Sequence, residues 1–176
     1  MKSIFKNERL EKEYHQLYDR TLEMFGLPYT SKYIQTRYGE THTLNFGDPG
    51  KKPLLLLHGM TMSSTMWYPN IMHLLQERSV YAVDVIGDFG KSRTKSVIKD
   101  KKTAARWLLE VMDGLQLHHT DVAGHSMGGF LALNFTLVYP ERVSKLLLYA
   151  PAGAFHKISP LFFVNIYPAL LFHTEK

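Results

Sequence analysis

Val122-Ala123-Gly124-His125-Ser126-Met127-Gly128-Gly129 is the stretch on which the reading of the whole chain turns. It sets a G-x-S-x-G between a short apolar segment and the helically spaced Phe130, Leu131, Leu133, Asn134 and Leu137. A strand that turns directly into a helix brings backbone against backbone, so Gly124 and Gly128 answer a steric demand. The same turn holds Ser126 in a strained conformation with its hydroxyl exposed. The helix that begins near Met127 aims free N–H groups and its positive end at that point, which favours a developing negative charge there.

Outward from this turn, the chain carries further apolar runs without alternation: Leu54 to Leu57, Val80 to Val85 interrupted by Asp84, and Leu146 to Tyr149. Such runs predict strands covered on both faces. Between them, Trp67, Ile71, Leu74 and Leu75, and then Trp107, Leu108, Val111, Met112 and Leu115, recur at helical spacing. Strand and helix in strict alternation predict a parallel sheet with helices on both faces. Nearer the start, Ile34 to Phe46 alternates polar and apolar residues around Gly39-Glu40, the pattern of two short antiparallel strands, and Gly47-Asp48-Pro49-Gly50 ends it. Leu10, Tyr14, Leu17, Tyr18 and Phe25 read as an amphipathic helix that ends near Gly26 and Pro28 and packs on the body of the domain.

The run Leu54 to Leu57 leads into His58-Gly59-Met60. In an open parallel sheet the loops that follow the strands gather at one edge, so this loop and the Ser126 turn are expected to face one crevice. The backbone N–H of Met60 and that of Met127 are then placed as an oxyanion hole, with Gly59 letting the chain come close. His58 sits at a strand end and reads as a buried structural histidine.

Composition narrows the chemistry. A length of 176 residues with 45% hydrophobic and 21% charged residues fits one globular domain and excludes disordered or polytopic membrane classes. With no cysteine, disulfides, Cys-ligated zinc and a thiol nucleophile are excluded, and nothing in the sequence calls for a metal or other cofactor. The net charge of +5 is scattered and accompanied by no recognition motif, so nucleic acid is not expected as a partner. The charged opening MKSIFKNERLEKEY does not read as a signal peptide, and the Pro-interrupted stretch Ile158 to Phe172 is too short to span a bilayer, so a cytoplasmic protein is expected. Gly90-Lys91-Ser92 fails as a phosphate loop because Val85 stands where its first glycine belongs.

Three motifs together, H-G-M-T-M-S-S-T-M-W from His58, D-V-I-G-D-F-G-K-S from Asp84 and G-H-S-M-G-G from Gly124, give the chain its family likeness. From about Ile34 to Phe155 it resembles the α/β-hydrolase fold family, and within it the carboxylesterase-like serine hydrolases. The resemblance implies that Ser126 is a nucleophile forming an acyl-enzyme with a small-molecule carboxylic ester. It also implies that Asp84 and residues 87–92 form a structural turn beside the site. A serine at this position argues against the dehalogenases and epoxide hydrolases of similar fold, which use a carboxylate there. Thioesterase, lactonase, perhydrolase and carbon–carbon bond hydrolase activities share the motifs.

In this family the acid and the histidine of the triad follow the serine. The resemblance puts them after a seventh and an eighth strand, whereas the sequence offers material for six. His118 and His119 precede the strand bearing Ser126 and so lie at its far end, and His125 flanks the nucleophile with its side chain projecting elsewhere. His156 and His173 come later; after Asp121 the acids are Glu141 and Glu175. The expectation is an amino-terminal hydrolase portion: a helical segment over residues 1–30, a partial core over 31–155 ending after the sixth strand, and the start of a cap over 156–176. The alternative is a catalytically inactive remnant that binds a ligand or a partner. An unpaired last strand is expected to promote self-association.

Overall fold

The computed structural model describes residues 4–154, 159 and 161. The expectation of a cap segment over 156–176, and with it His156, His173 and Glu175, lies outside the described residues.

Helix α1 (Glu8–Met24) opens the chain, capped by Asn7, whose side chain accepts the Leu10 N–H at 3.0 Å. It packs on the sheet through Tyr18 and Leu22, with Phe25 just beyond its end stacked on Phe46 at 5.5 Å. Strands β1 (Tyr29–Thr36) and β2 (Gly39–Phe46) form an antiparallel hairpin. The expected hairpin is present with its turn moved: Gly39 and Glu40 are already paired with Thr36 and Gln35, so the reversal falls at Arg37 and Tyr38.

There follow β3 (Lys52–Leu57), α2 (Tyr68–Leu74) after a 3₁₀ turn, β4 (Arg78–Val83) and the two-residue β5 (Arg93–Thr94). Then come α3 (Lys101–Gly114), β6 (Thr120–His125), α4 (Met127–Val138) and β7 (Val143–Tyr149). The sheet order is β1-β2-β4-β3-β6-β7, with β5 pairing β2 off this path. From β4 through β3 and β6 to β7 all pairings are parallel, while β2 joins β4 antiparallel.

The apolar runs give the sheet two buried faces. Leu55, Leu57 and Val122 point toward α3 and α4, where Trp107, Leu108, Val111 and Phe135 are fully buried. Leu54, Leu56 and Ala123 point the other way, toward Tyr18, Leu22 and Ile71 of α1 and α2. Alternate residues of one strand thus feed both layers, which is why the runs show no polar alternation. Because β4, β3, β6 and β7 are parallel, the loops that leave their carboxyl ends emerge along one edge.

Candidate active site

At that edge Ser126 has φ 51° and ψ −114°, a backbone conformation that costs a non-glycine residue roughly 1–3 kcal/mol. The surroundings over-determine it. The Ser126 N–H donates to the Tyr149 carbonyl at 2.9 Å, and the Ser126 carbonyl accepts from Ala152 at 2.9 Å and Phe130 at 3.0 Å. A Cβ at Gly124 would overlap the Gly128 carbonyl, and one at Gly128 would overlap the carbonyls of Leu57 and His58. The elbow is therefore clamped between β3, α4 and the loop after β7.

Although Ser126 occupies the cap position of α4, its side chain makes no capping bond. Among the described residues its hydroxyl has no hydrogen-bond partner, and the residue is half-buried. Met127 is the first residue of α4, so its N–H has no acceptor within the helix.

The loop after β3 touches this turn. A Cβ at Gly59 would lie 3.4 Å from the Ser126 Cβ and 2.8 Å from His125 Nδ1, so any larger residue there would require the His125 ring to shift. Met60 comes next; its side chain is 40% exposed and its N–H makes no hydrogen bond to a described residue. The structure thus brings together every residue singled out from the sequence here: Gly59, Met60, Gly124, Ser126, Met127 and Gly128.

His58 is fully buried: Nδ1 donates to the Gly59 carbonyl at 2.8 Å, and Nε2 accepts the Val85 N–H at 2.8 Å. Both nitrogens are engaged with main chain, tying β3 to the loop after β4. His125 turns away from the serine into an apolar cavity of about 310 Å³ lined by Leu54, Leu56, Trp67, Ala123 and Tyr149. His118 and His119 are exposed, and His119 donates from Nδ1 to the Glu141 carbonyl at 2.9 Å, at the opposite end of β6.

Two carboxylates hold the loop after β4, and only one of them stood out in the sequence. Asp84 is fully buried and accepts from His42 Nδ1 at 2.7 Å and from the N–H groups of Ser64 and Lys91, each at 2.8 Å. Burial alone would push its carboxyl up, but the hydrogen bonds from His42 and from the Lys91 amide hold it below the usual aspartate value. Asp88 accepts the Thr61 N–H at 3.0 and 3.1 Å and the Phe89 N–H at 2.8 Å. There burial prevails over those amides, and the carboxyl is raised. The bond to Thr61 reaches the residue after Met60, and Thr61 itself has φ 62°.

Beside this loop a shallow depression is lined by Tyr14, Met62, Ser63, Met66 and Phe89, an apolar floor next to the serine edge. No helix among the described residues is long and apolar enough to cross a membrane.

A parallel sheet whose carboxyl edge carries a strained serine at a helix start, faced by a glycine-bearing loop, defines the class. The chain belongs to the α/β hydrolase fold family, whose model matches residues 52–171. Among its relatives is the Bacillus subtilis (strain 168) carboxylesterase nap, 42% identical over 142 residues that cover 81% of this chain and 47% of the relative. The carboxylesterase YbfK of the same strain is 38% identical over 147 residues, 84% of this chain and 50% of that protein. The crystal structure of naproxen esterase (carboxylesterase NP) from Bacillus subtilis superposes with a TM-score of 0.85 at 38% identity, covering 88% of this chain and 54% of that one. The chain spans about half the length of the curated relatives it matches.

Proposed function

We propose that the chain carries the nucleophile half of a serine carboxylic ester hydrolase. Ser126 attacks the ester carbonyl and forms an acyl-enzyme, while the N–H groups of Met60 and Met127 stabilise the negative charge that collects on the carbonyl oxygen. Gly59, Gly124 and Gly128 make the close approaches that this requires. The observation that carries the reading is the clamped backbone of Ser126, at φ 51°, with the loop after β3 so near that a Cβ at Gly59 would lie 3.4 Å from the Ser126 Cβ. Strain of that size is kept where a side chain must be presented. Two amides fixed before substrate arrives stabilise charge without reorganisation, and one such donor is typically worth ~3 kcal/mol. The similarity to carboxylesterases supports an ester as the substrate class.

A serine hydroxyl needs a base to take its proton and an acid to orient that base. Among the described residues no histidine bonds the Ser126 hydroxyl. In this reading the base and its acid come from outside residues 4–154. The same observation favours a second reading, a ligand-binding protein that keeps the pocket without turnover. Loss of the triad partners still leaves ~10³ to 10⁴-fold acceleration over water from the oxyanion site and binding, so slow hydrolysis does not separate the two.

Fluorophosphonate labelling with peptide mapping does separate them. A stoichiometric adduct on Ser126, absent from Ser126→Ala, supports the hydrolase. A folded chain with Ser126 unlabelled supports the binding protein.

A further inference from the structure

Toward the β1–β2 end of the sheet, three side chains from three strands or strand ends stand in line. Asp84 Oδ2 lies 2.7 Å from His42 Nδ1, and His42 Nε2 lies 2.8 Å from Ser31 Oγ. We propose that Ser31, His42 and Asp84 form a second nucleophilic site, in which the Ser31 hydroxyl takes up an acyl or phosphoryl group from donors with a good leaving group.

Carboxylate, imidazole and hydroxyl in this order and at these distances are what activates a serine: the carboxylate fixes the tautomer with the proton on Nδ1, leaving the Nε2 lone pair to accept from the hydroxyl. Here the carboxylate is well fixed. Its Oδ1 accepts from the Ser64 N–H at 2.8 Å and Tyr18 at 3.3 Å, and its Oδ2 from the Lys91 N–H at 2.8 Å as well as from His42. The imidazole is fixed too. His42 is 1% exposed, its own N–H donates to Ser92 Oγ at 2.9 Å, and the rings of Tyr18 and Tyr33 lie 5.8 and 5.0 Å from it. Its strand register pairs it with Tyr33, while Ser31 pairs with Leu44, so the hydroxyl approaches diagonally across the hairpin on the same face. At the other end of this line the serine is exposed on β1, open to a reagent.

With diisopropyl fluorophosphate the step is a displacement. The Ser31 oxygen forms a bond to phosphorus, the P–F bond breaks with its electron pair leaving as fluoride, and the hydroxyl proton passes to His42 Nε2 and then to solvent. With an aryl ester the leaving group is the aryloxide. General-base help, worth ~10² to 10⁴-fold, drives the reaction and confines it to activated donors.

The test uses the full chain carrying Ser126→Ala, treated with diisopropyl fluorophosphate and followed by intact mass and peptide mapping. One adduct per chain on Ser31 is expected, absent when Ser31→Ala is added and formed ~100-fold more slowly with His42→Gln. Should His42→Gln fail to fold, the folded Ser126→Ala chain is compared with the same chain in urea, where Ser31 labelling is expected to fall by a similar factor. An unlabelled Ser31 in the folded chain, or equal rates with and without His42 or with and without the fold, overturns the proposal. Because Ser126 is absent from these variants, the outcome is independent of the hydrolase reading.

Discussion

The Asp88 carboxylate accepts the Thr61 N–H through both oxygens, at 3.0 and 3.1 Å, and so ties the loop after β4 to the loop after β3 one residue beyond Met60. Thr61 has φ 62°, a conformation that a threonine holds only under constraint. Met60 is thus flanked by Gly59, close against Ser126, and by a residue pinned from outside.

Removing the pin is expected to weaken the proposed oxyanion site without unfolding the chain. Asp88→Ala should slow fluorophosphonate labelling of Ser126 by about tenfold, less than the ~10² to 10³ for outright loss of a donor. Asp88→Asn, which keeps an acceptor for Thr61, should restore most of the rate. Labelling kinetics read beside thermal melts check this: an unchanged rate in Asp88→Ala would show that the loop holds itself.

The strain at Ser126 gives an opposite pair of outcomes. Ser126→Gly is expected to stabilise the chain by about 1 kcal/mol, the relief of an unfavourable φ reduced by the entropy of a freer unfolded chain. Ser126→Ala keeps the Cβ and the strain, and should leave stability nearly unchanged. Gly128→Ala should cost about 3 kcal/mol, since its methyl would meet the fixed carbonyls of Leu57 and His58 rather than a side chain that can move. Urea unfolding of the three variants measures all of these.

Much of this geometry was legible in the sequence because its causes are local. The steric demand at Gly124 and Gly128 arises within a few residues of Ser126, and the buried strands β3, β4, β6 and β7 announce themselves as apolar runs. The start of β1 at Tyr29 did not show because Tyr29 to Tyr33 are all exposed, so no alternation marks them. β5 is two residues held only by pairing to Gly39 and Glu40, too short to carry a period. The sequence puts Asp84 in a structural turn, but nothing in it points to His42 as its partner or to Ser31 beyond His42. Their contact depends on the diagonal register of β1 and β2, and on β4 lying next to β2, which no spacing encodes.

Acid is expected to destabilise the fold through Asp84 and Asp121. Burial acts to raise the Asp121 carboxyl, but Lys52 at 2.9 Å, Arg78 at 2.6 Å and Ser144 hold it below the ordinary 3.8, as His42 and its companions do for Asp84. A carboxyl whose folded pKa is depressed contributes stability that is complete above its unfolded value and is lost as pH falls through the folded one. The urea midpoint should therefore change little between about pH 6 and 4 on account of these groups and drop below that. Asp88, raised in the fold, works the other way: it adds stability as pH falls through its folded value toward 3.8, above the range of the drop. Asp121→Asn should lower the plateau and flatten the acid limb; an unaltered acid limb would place the loss elsewhere.

The sheet order ends at β7, so among the described residues this strand pairs only with β6 and presents its other edge unpaired. Leu147 and Tyr149 on it are 37% and 49% exposed, beside the apolar cavity that His125 and Trp67 line. An open strand edge with apolar side chains is a template for pairing with another chain, and a lysine on such an edge opposes it by placing a charge that must stay in water. The 176-residue chain is expected to sediment as an associating species at micromolar concentration, and Leu147→Lys to shift it toward monomer with the fold retained. Sedimentation velocity over a concentration series, with circular dichroism on the same samples, decides the point: a single monomeric species at every concentration would mean that the β7 edge is not available for pairing.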